Sequence, residues 1–261
     1  MMIDLYPQQT AQVLMQWLEP SLSTENHLYA LLDHSFDPKL LRKMKNRISY
    51  TALYQDQGGD VEVSPLLCPL NTQSELQAQI ELLLQTTAGQ PMLSFWLSPL
   101  DREAVFSHFA NYFYVILLPE KISMVLRYAD TRILPNLLAT LSPEQSAMFL
   151  RPFVQLVYFD RAAKPVVVNG AHQPQIADKP QIADKPLILD ELQFNQMMDH
   201  SLPDQVLQQI YRDQLQALLP AQASLAYAQV SNECMAARAE ALTEVAEVAS
   251  FCTARLQESR P

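Results

Sequence analysis

Val125-Leu126-Arg127-Tyr128-Ala129-Asp130-Thr131-Arg132-Ile133-Leu134 is the stretch in which the periodicity of the chain changes. From Ile122 the residues read as an apolar strand. From Ile133 the apolar positions recur every three to four residues, so a strand feeds directly into a helix. Arg127, Asp130 and Arg132 are crowded at the junction. Charges so close together at an element boundary are paired or solvated, because an isolated buried charge is too costly. Three roles are open to them: chemistry, a contact for a partner, or a tie that holds the fold.

Toward the N-terminus, residues 7–18 place Ala11, Leu14, Met15 and Leu18 at helical spacing beside Trp17, with Pro20 as the stop. Residues 27–33 form a nearly continuous apolar run ending in Asp33, the pattern of a strand buried on both faces. A basic helix over 39–47 follows Pro38. Residues 48–54 return to strand formers, 56–60 read as a turn, and 61–70 are extended but interrupted by Pro65 and Pro69. A helix over 74–86, a strand over 91–97, a helix over 101–110 and an apolar run over 112–118 lead into the junction. Beyond it come a helix over 133–141, a second one from Pro143, and extended runs at 153–159 and 165–168. Strands alternating with helices predict an α/β lobe over residues 1–168 with a mostly buried sheet.

Residues 169–186 differ in character: Pro-Gln-Ile-Ala-Asp-Lys occurs at 174–179 and again, unchanged, at 180–185. A six-residue copy is too short for a folded repeat and reads as a duplicated piece of proline-punctuated linker. Residues 187–261 predict an all-helical, acidic lobe with helices over 187–198, 203–219 and 221–257. They carry ten acidic and four basic side chains and no lysine, against 18 and 14 in the first 186 residues. On the last helix Leu242, Val245, Ala249, Cys252 and Leu256 form one stripe. Cys234 falls on the same face as Cys252, because 18 residues is about five turns. The stripe either packs within the chain or docks a partner helix.

Composition excludes several function classes. With 49% apolar and 18% charged residues, the chain of 261 buries a sizeable core. A formal charge of -10 argues against nucleic-acid binding and anionic membranes, both of which need surplus Lys and Arg. No window reaches about 18 consecutive apolar residues, so no membrane insertion is expected. The first residues, Met1-Met2-Ile3-Asp4, lack a basic region followed by an apolar run, so no signal peptide is expected, and Cys68, Cys234 and Cys252 are an odd, scattered set that suits a reducing compartment. Those features together predict a cytoplasmic protein.

No catalytic constellation emerges. Gly58, Gly59, Gly89 and Gly170 cannot build a glycine-rich phosphate loop, the five histidines lack paired-ligand spacing, and the cysteines form no CxxC. No cofactor and no metal are therefore expected. Acids at strand ends, Asp33, Asp37 and Asp130, occupy positions where α/β active sites gather, but turn and cap roles suit them equally well. Asp130 stands where a helix N-cap belongs. Arg127 is expected to pair with an acid, and Asp33 is the first candidate because both lie at strand ends.

Four segments in order carry a resemblance. They are Tyr29-Ala30-Leu31-Leu32-Asp33, then Ser64-Pro65-Leu66-Leu67-Cys68-Pro69-Leu70, then Phe95-Trp96-Leu97-Ser98-Pro99-Leu100, and finally Leu126-Arg127-Tyr128-Ala129-Asp130-Thr131-Arg132. Together they resemble the conserved domain of type VI secretion adaptors, over about residues 27–160. The last segment resembles that family's Arg-x-x-Asp-Pro-Arg signature, with Thr131 in the proline position and Ala129 where an aromatic is common. The resemblance implies a non-enzymatic adaptor, or chaperone, that binds a cognate effector toxin and assists its loading onto the VgrG spike. It also marks Arg127, Tyr128, Asp130, Arg132, Asp33 and Trp96 as partner-binding or lobe-organising residues. Two other readings remain beside it. One is a small-molecule enzyme using Asp33, Asp130 and Arg127 in one cleft. The other is a regulatory protein binding through its C-terminal helices.

Overall fold

A computed structural model of the chain describes residues 2–22, 25–54, 60–70, 74–172 and 186–258. The duplicated hexapeptide and most of the turn expected at 56–60 lie outside the described residues. In chain order the elements are α1 (Thr10–Leu18), β1 (His27–Asp33), α2 (Leu40–Met44), β2 (Thr51–Ala52), β3 (Pro65–Pro69), α3 (Leu76–Thr87), β4 (Leu93–Ser98), α4 (Arg102–Asn111), β5 (Tyr114–Leu117) and β6 (Ile122–Val125). They continue with α5 (Leu134–Thr140), α6 (Pro143–Leu150), β7 (Gln155–Phe159), β8 (Pro165–Asn169), β9 (Leu187–Leu189), α7 (Glu191–Arg212), α8 (Ala223–Ala239) and α9 (Val245–Glu258).

Six strands form one sheet in the order β2-β3-β1-β4-β7-β8, with every neighbouring pair antiparallel. Its strands alternate in where they send their side chains, as the two-residue period requires. Tyr29, Leu31, Leu67, Trp96, Leu156 and Tyr158 point to one face, where Val105, Phe109, Leu134, Leu137 and Phe149 of α4, α5 and α6 cover them. Leu28, Ala30, Leu32, Phe95, Leu97 and Val157 point to the other, under Leu14, Leu40, Ile80 and Leu83 of α1, α2 and α3. The sheet is thus buried between two helical layers, which explains why β1 reads as an uninterrupted apolar run: all of its residues after His27 are buried. Burial alone makes each central leucine worth about 1.5–3 kcal/mol.

A second, smaller sheet has the order β6-β5-β9, with β5 antiparallel to β6 and parallel to β9. Residues 187–189, read from the sequence as the start of a helix, are therefore strand. The helix starts at Glu191, where Asp190 and Gln193 form a capping box. From there α7 runs unbroken to Arg212 with Pro203 inside it, where the sequence predicted two helices. Proline removes one backbone donor, but Pro203 is buried on the same face as Leu202, Val206 and Ile210, and that packing carries the helix through.

The expected helix over 221–257 is instead a hairpin of α8 and α9. The turn passes through Ala241, with φ of 62°, and the Leu242 amide donates to the Ala237 carbonyl. Cys234 and Cys252 therefore meet across two helices rather than lying along one. Val206, Val230, Val248, Ala249, Cys252 and Leu256 close a three-helix core, so the small-residue stripe packs within the chain. Asp4 reaches the first turn of α8 from the far end of the sequence, accepting from the Ser224 amide at 3.0 Å, the Ser224 hydroxyl at 2.6 Å and the Gln222 amide group at 2.8 Å.

Candidate functional site

β6 ends at Val125 and α5 begins at Leu134, so the strand does not feed straight into the helix. The charged residues occupy a loop between them, because their side chains bond to backbone groups that a helix would have consumed. Asp130 accepts from the Arg132 amide at 2.9 Å through Oδ1 and closes a turn on its own chain. It is not the N-cap of α5: that position falls to Ile133, which makes no side-chain cap bond. The remaining valences of Asp130, fully buried, are met by Arg132, whose Nε donates to Oδ1 at 3.0 Å and Nη2 to Oδ2 at 2.7 Å. Burial would pull the Arg132 guanidinium down, but the hydrogen bond and charge of Asp130, with Asp204 and Asp33 behind it, hold it above its ordinary value.

Arg127 is paired with the acid expected from the sequence. Its Nη2 donates to Asp33 Oδ2 at 2.8 Å and to the Ser35 hydroxyl at 2.8 Å, and lies 3.8 Å from Asp130 Oδ2. Asp33 closes β1 and caps the 3-10 turn over His34–Phe36, accepting from the Ser35 amide at 3.1 Å and its hydroxyl at 2.6 Å. The two ions differ sharply in access: the Asp33 side chain is 4% exposed and that of Arg127 41%. Backbone ties hold the same corner. The Asp33 amide donates to the Met92 carbonyl and the Thr131 amide to the Pro91 carbonyl, so both acid-bearing loops hang from the residues that lead into β4.

Tyr128 and Trp96 lie in the core. The Tyr128 ring stacks on Phe109 at 5.4 Å and its hydroxyl donates to the Phe109 carbonyl at 2.9 Å, while burial drives that hydroxyl well above its ordinary pKa. Trp96 donates from Nε1 to the Ser94 hydroxyl at 2.8 Å and packs against Phe109, Phe149 and Phe153. Both rings are wholly buried and have no surface to offer a partner.

Four participants went unmarked in the sequence. Asp204 of α7 accepts from both terminal nitrogens of Arg161, which sits in the turn between β7 and β8, and lies 3.6 Å from Arg132 Nη1. The Arg161 guanidinium in turn stands 3.8 Å from the Tyr227 ring centroid. Phe36 lies 5.2 Å from each of the Arg127 and Arg132 guanidinium groups. Only the charge-aromatic character of these residues signals them, and residues 43 positions apart cannot be paired from one sequence.

Chemically, the corner is a ladder of ions running from the end of the inner strand β1 to the helical bundle: Asp33, Arg127, Asp130, Arg132, Asp204, Arg161. The carboxylates of Asp33 and Asp130 each accept hydrogen bonds on both oxygens. Among the described residues no three His, Cys, Asp or Glu side chains converge as a metal site requires, and no helix is long and apolar enough to cross a membrane. No curated protein and no solved structure matches the chain. Residues 28–148, from β1 into α6 and including Asp33, Trp96 and the whole charged loop, match the family model described as a domain of unknown function, DUF4123.

Proposed function

We propose that this protein is a type VI secretion adaptor that binds a cognate effector toxin in the cytoplasm and assists its loading onto the VgrG spike, without catalysing a reaction itself. The observation that carries this reading is the family match: residues 28–148 fit the DUF4123 model, the domain whose adaptor members the four sequence segments resemble. The chemistry of the charged corner agrees with it. An enzyme built on Asp33, Asp130 and Arg127 needs a group poised to gain or lose a proton, whereas these three are consumed in ion pairs and backbone caps.

Co-expression is the direct test. The toxin encoded beside this gene should be soluble and delivered when this chain is present and should aggregate, degrade or fail to be delivered when it is deleted. A toxin that is soluble and delivered normally without the chain would falsify the proposal.

A further inference from the structure

Two depressions run together along α7. The larger, about 630 Å³, lies between the ion ladder and the helical bundle and is lined by Phe36, Arg127, Arg161, Asp204, Gln208 and Tyr211, among others. The smaller, about 210 Å³, is apolar and lies between β6 and the N-terminal half of α7, with Met124, Val125, Leu189, Phe194, Met197 and Met198 in its walls. Arg127, Arg132, Ile133, Ser201 and Asp204 line both, so the two form one continuous groove with an apolar half and a charged half.

The charged side chains that line the charged half are mainly cationic. Three arginines and one aspartate line it, on a protein of formal charge -10. The carboxylates that balance Arg127 and Arg132 from below, Asp33 and Asp130, are 4% and 0% exposed and present no face to the groove. Arg127 stands where the halves join. Its Nη2 is committed to Asp33 and Ser35, but its Nε and Nη1 donate to no acceptor among the described residues. A single charge-assisted hydrogen bond from one of these donors on a partly exposed side chain suits a carboxylate. The apolar half is open: Met124, Val125 and Met198 are 41%, 48% and 43% exposed. Methionines there adapt to side chains of differing shape.

We infer that this groove holds a segment of the client toxin in which apolar residues are followed by an acidic one, the apolar side chains lying between Met124 and Met198 and the carboxylate accepting from a free donor of Arg127. The inference rests on the adaptor reading and supplies it with a surface and a recognition chemistry. A carboxylate that bonds Arg127 while apolar side chains fill the other half gives the segment one register.

The test uses the full chain, the neighbouring toxin, and overlapping synthetic peptides covering that toxin, each made also with Asn and Gln replacing Asp and Glu. Peptides that bind should combine apolar and acidic residues, lose affinity on amide replacement, and weaken with added salt. Gln208→Glu, which adds a negative charge to the charged half at an exposed position, should weaken binding about five- to tenfold after screening. Met198→Asp should weaken it comparably at the apolar half, and Met235→Asp, on an exposed face of α8 outside the groove, should leave it unchanged. All three should melt as wild type does. If the toxin co-purifies equally with wild type, Gln208→Glu and Met198→Asp, or if the peptides that bind carry no acid, the groove assignment is wrong while the adaptor reading stands. If the toxin fails to bind even the wild-type chain, both fall.

Discussion

Deleting Asp130 and deleting Arg127 should differ in cost, although the two residues belong to one ion ladder. Asp130 is fully buried and accepts three hydrogen bonds from Arg132, one of them from the backbone. Asp130→Ala leaves the Arg132 guanidinium, 19% exposed, with only Asp204 at 3.6 Å to face. Breaking a buried pair in this way costs about 3–5 kcal/mol. Arg127→Ala leaves Asp33, which keeps both of its bonds from Ser35. Moreover, Arg127 is 41% exposed, so water screens much of its attraction, and the cost falls to about 1–2 kcal/mol. At about 2–4 °C per kcal/mol for a chain of this size, the expected drops in melting temperature are about 6–20 °C and 2–8 °C respectively. Calorimetry on both variants, with near-UV circular dichroism to verify native packing beforehand, reads the difference. A loss from Arg127→Ala equal to or larger than that from Asp130→Ala would mean that Arg127, not Asp130, anchors the corner, and the argument from burial would be wrong.

Other consequences are equally open to measurement. His108 is buried among Phe149, Phe153 and Tyr112, and burial pushes its pKa down to about 4 despite the Phe149 carbonyl beside its Nε2. The unfolded chain then protonates more readily than the folded one. The associated stability is complete above about pH 6.5 and is lost as pH falls toward 4, by about 3 kcal/mol in all. Denaturant midpoints across that window should slope in wild type and flatten in His108→Phe. Gly170→Ala places a Cβ 1.7 Å from the Phe153 carbonyl oxygen, a backbone atom that cannot swing aside, so β8 must shift against β7. The expected cost is about 3 kcal/mol or more, visible as a lower urea midpoint or insoluble expression. At Asp4, burial pushes the carboxyl up, but hydrogen bonds from Ser224 and Gln222 prevail and hold it below its usual range. Asp4→Ala should cost about 1–2 kcal/mol and speed amide exchange at Ser224, since it removes the cap on α8; unchanged exchange there would show that α8 needs no such cap.

The layers of the fold were legible because they depend on local periodicity. β1, β4 and β7 read as strands since apolar residues on both sides of the sheet are needed when helices cover both faces. Strand direction was not legible: nothing in the β1 residues says that β3 and β4 run antiparallel to it. β9 was hidden because Leu187-Ile188-Leu189 is as apolar as a helix turn, and only pairing with β5 decides between them. The α8–α9 turn has no glycine or proline to announce it. It forms because folding the alanine-rich segment back on itself buries Cys234 and Ala237 against Val248 and Cys252, a tertiary gain that outweighs the left-handed strain at Ala241. In the charged corner, the Arg127–Asp33 pair could be expected from two strand ends, whereas Asp204 and Arg161 belong to elements that only the folded chain brings together.

Scaffold and contact, posed by the sequence as competing roles for Arg127, are compatible in the geometry. One terminal nitrogen faces inward to Asp33 while the rest of the guanidinium faces the groove. Deleting the side chain therefore cannot separate the roles, because a weakened corner and a lost contact would both reduce binding. Insertion at a neighbouring position can. Gln208 is exposed and shares the groove wall without taking part in the ion ladder, so Gln208→Glu changes the field that a bound carboxylate meets but leaves every ion pair standing. If Arg127→Ala lowers both stability and binding while Gln208→Glu lowers binding alone, Arg127 serves both ends of the same guanidinium. If Gln208→Glu is silent, the groove-facing nitrogens of Arg127 meet only water, and the corner is scaffold.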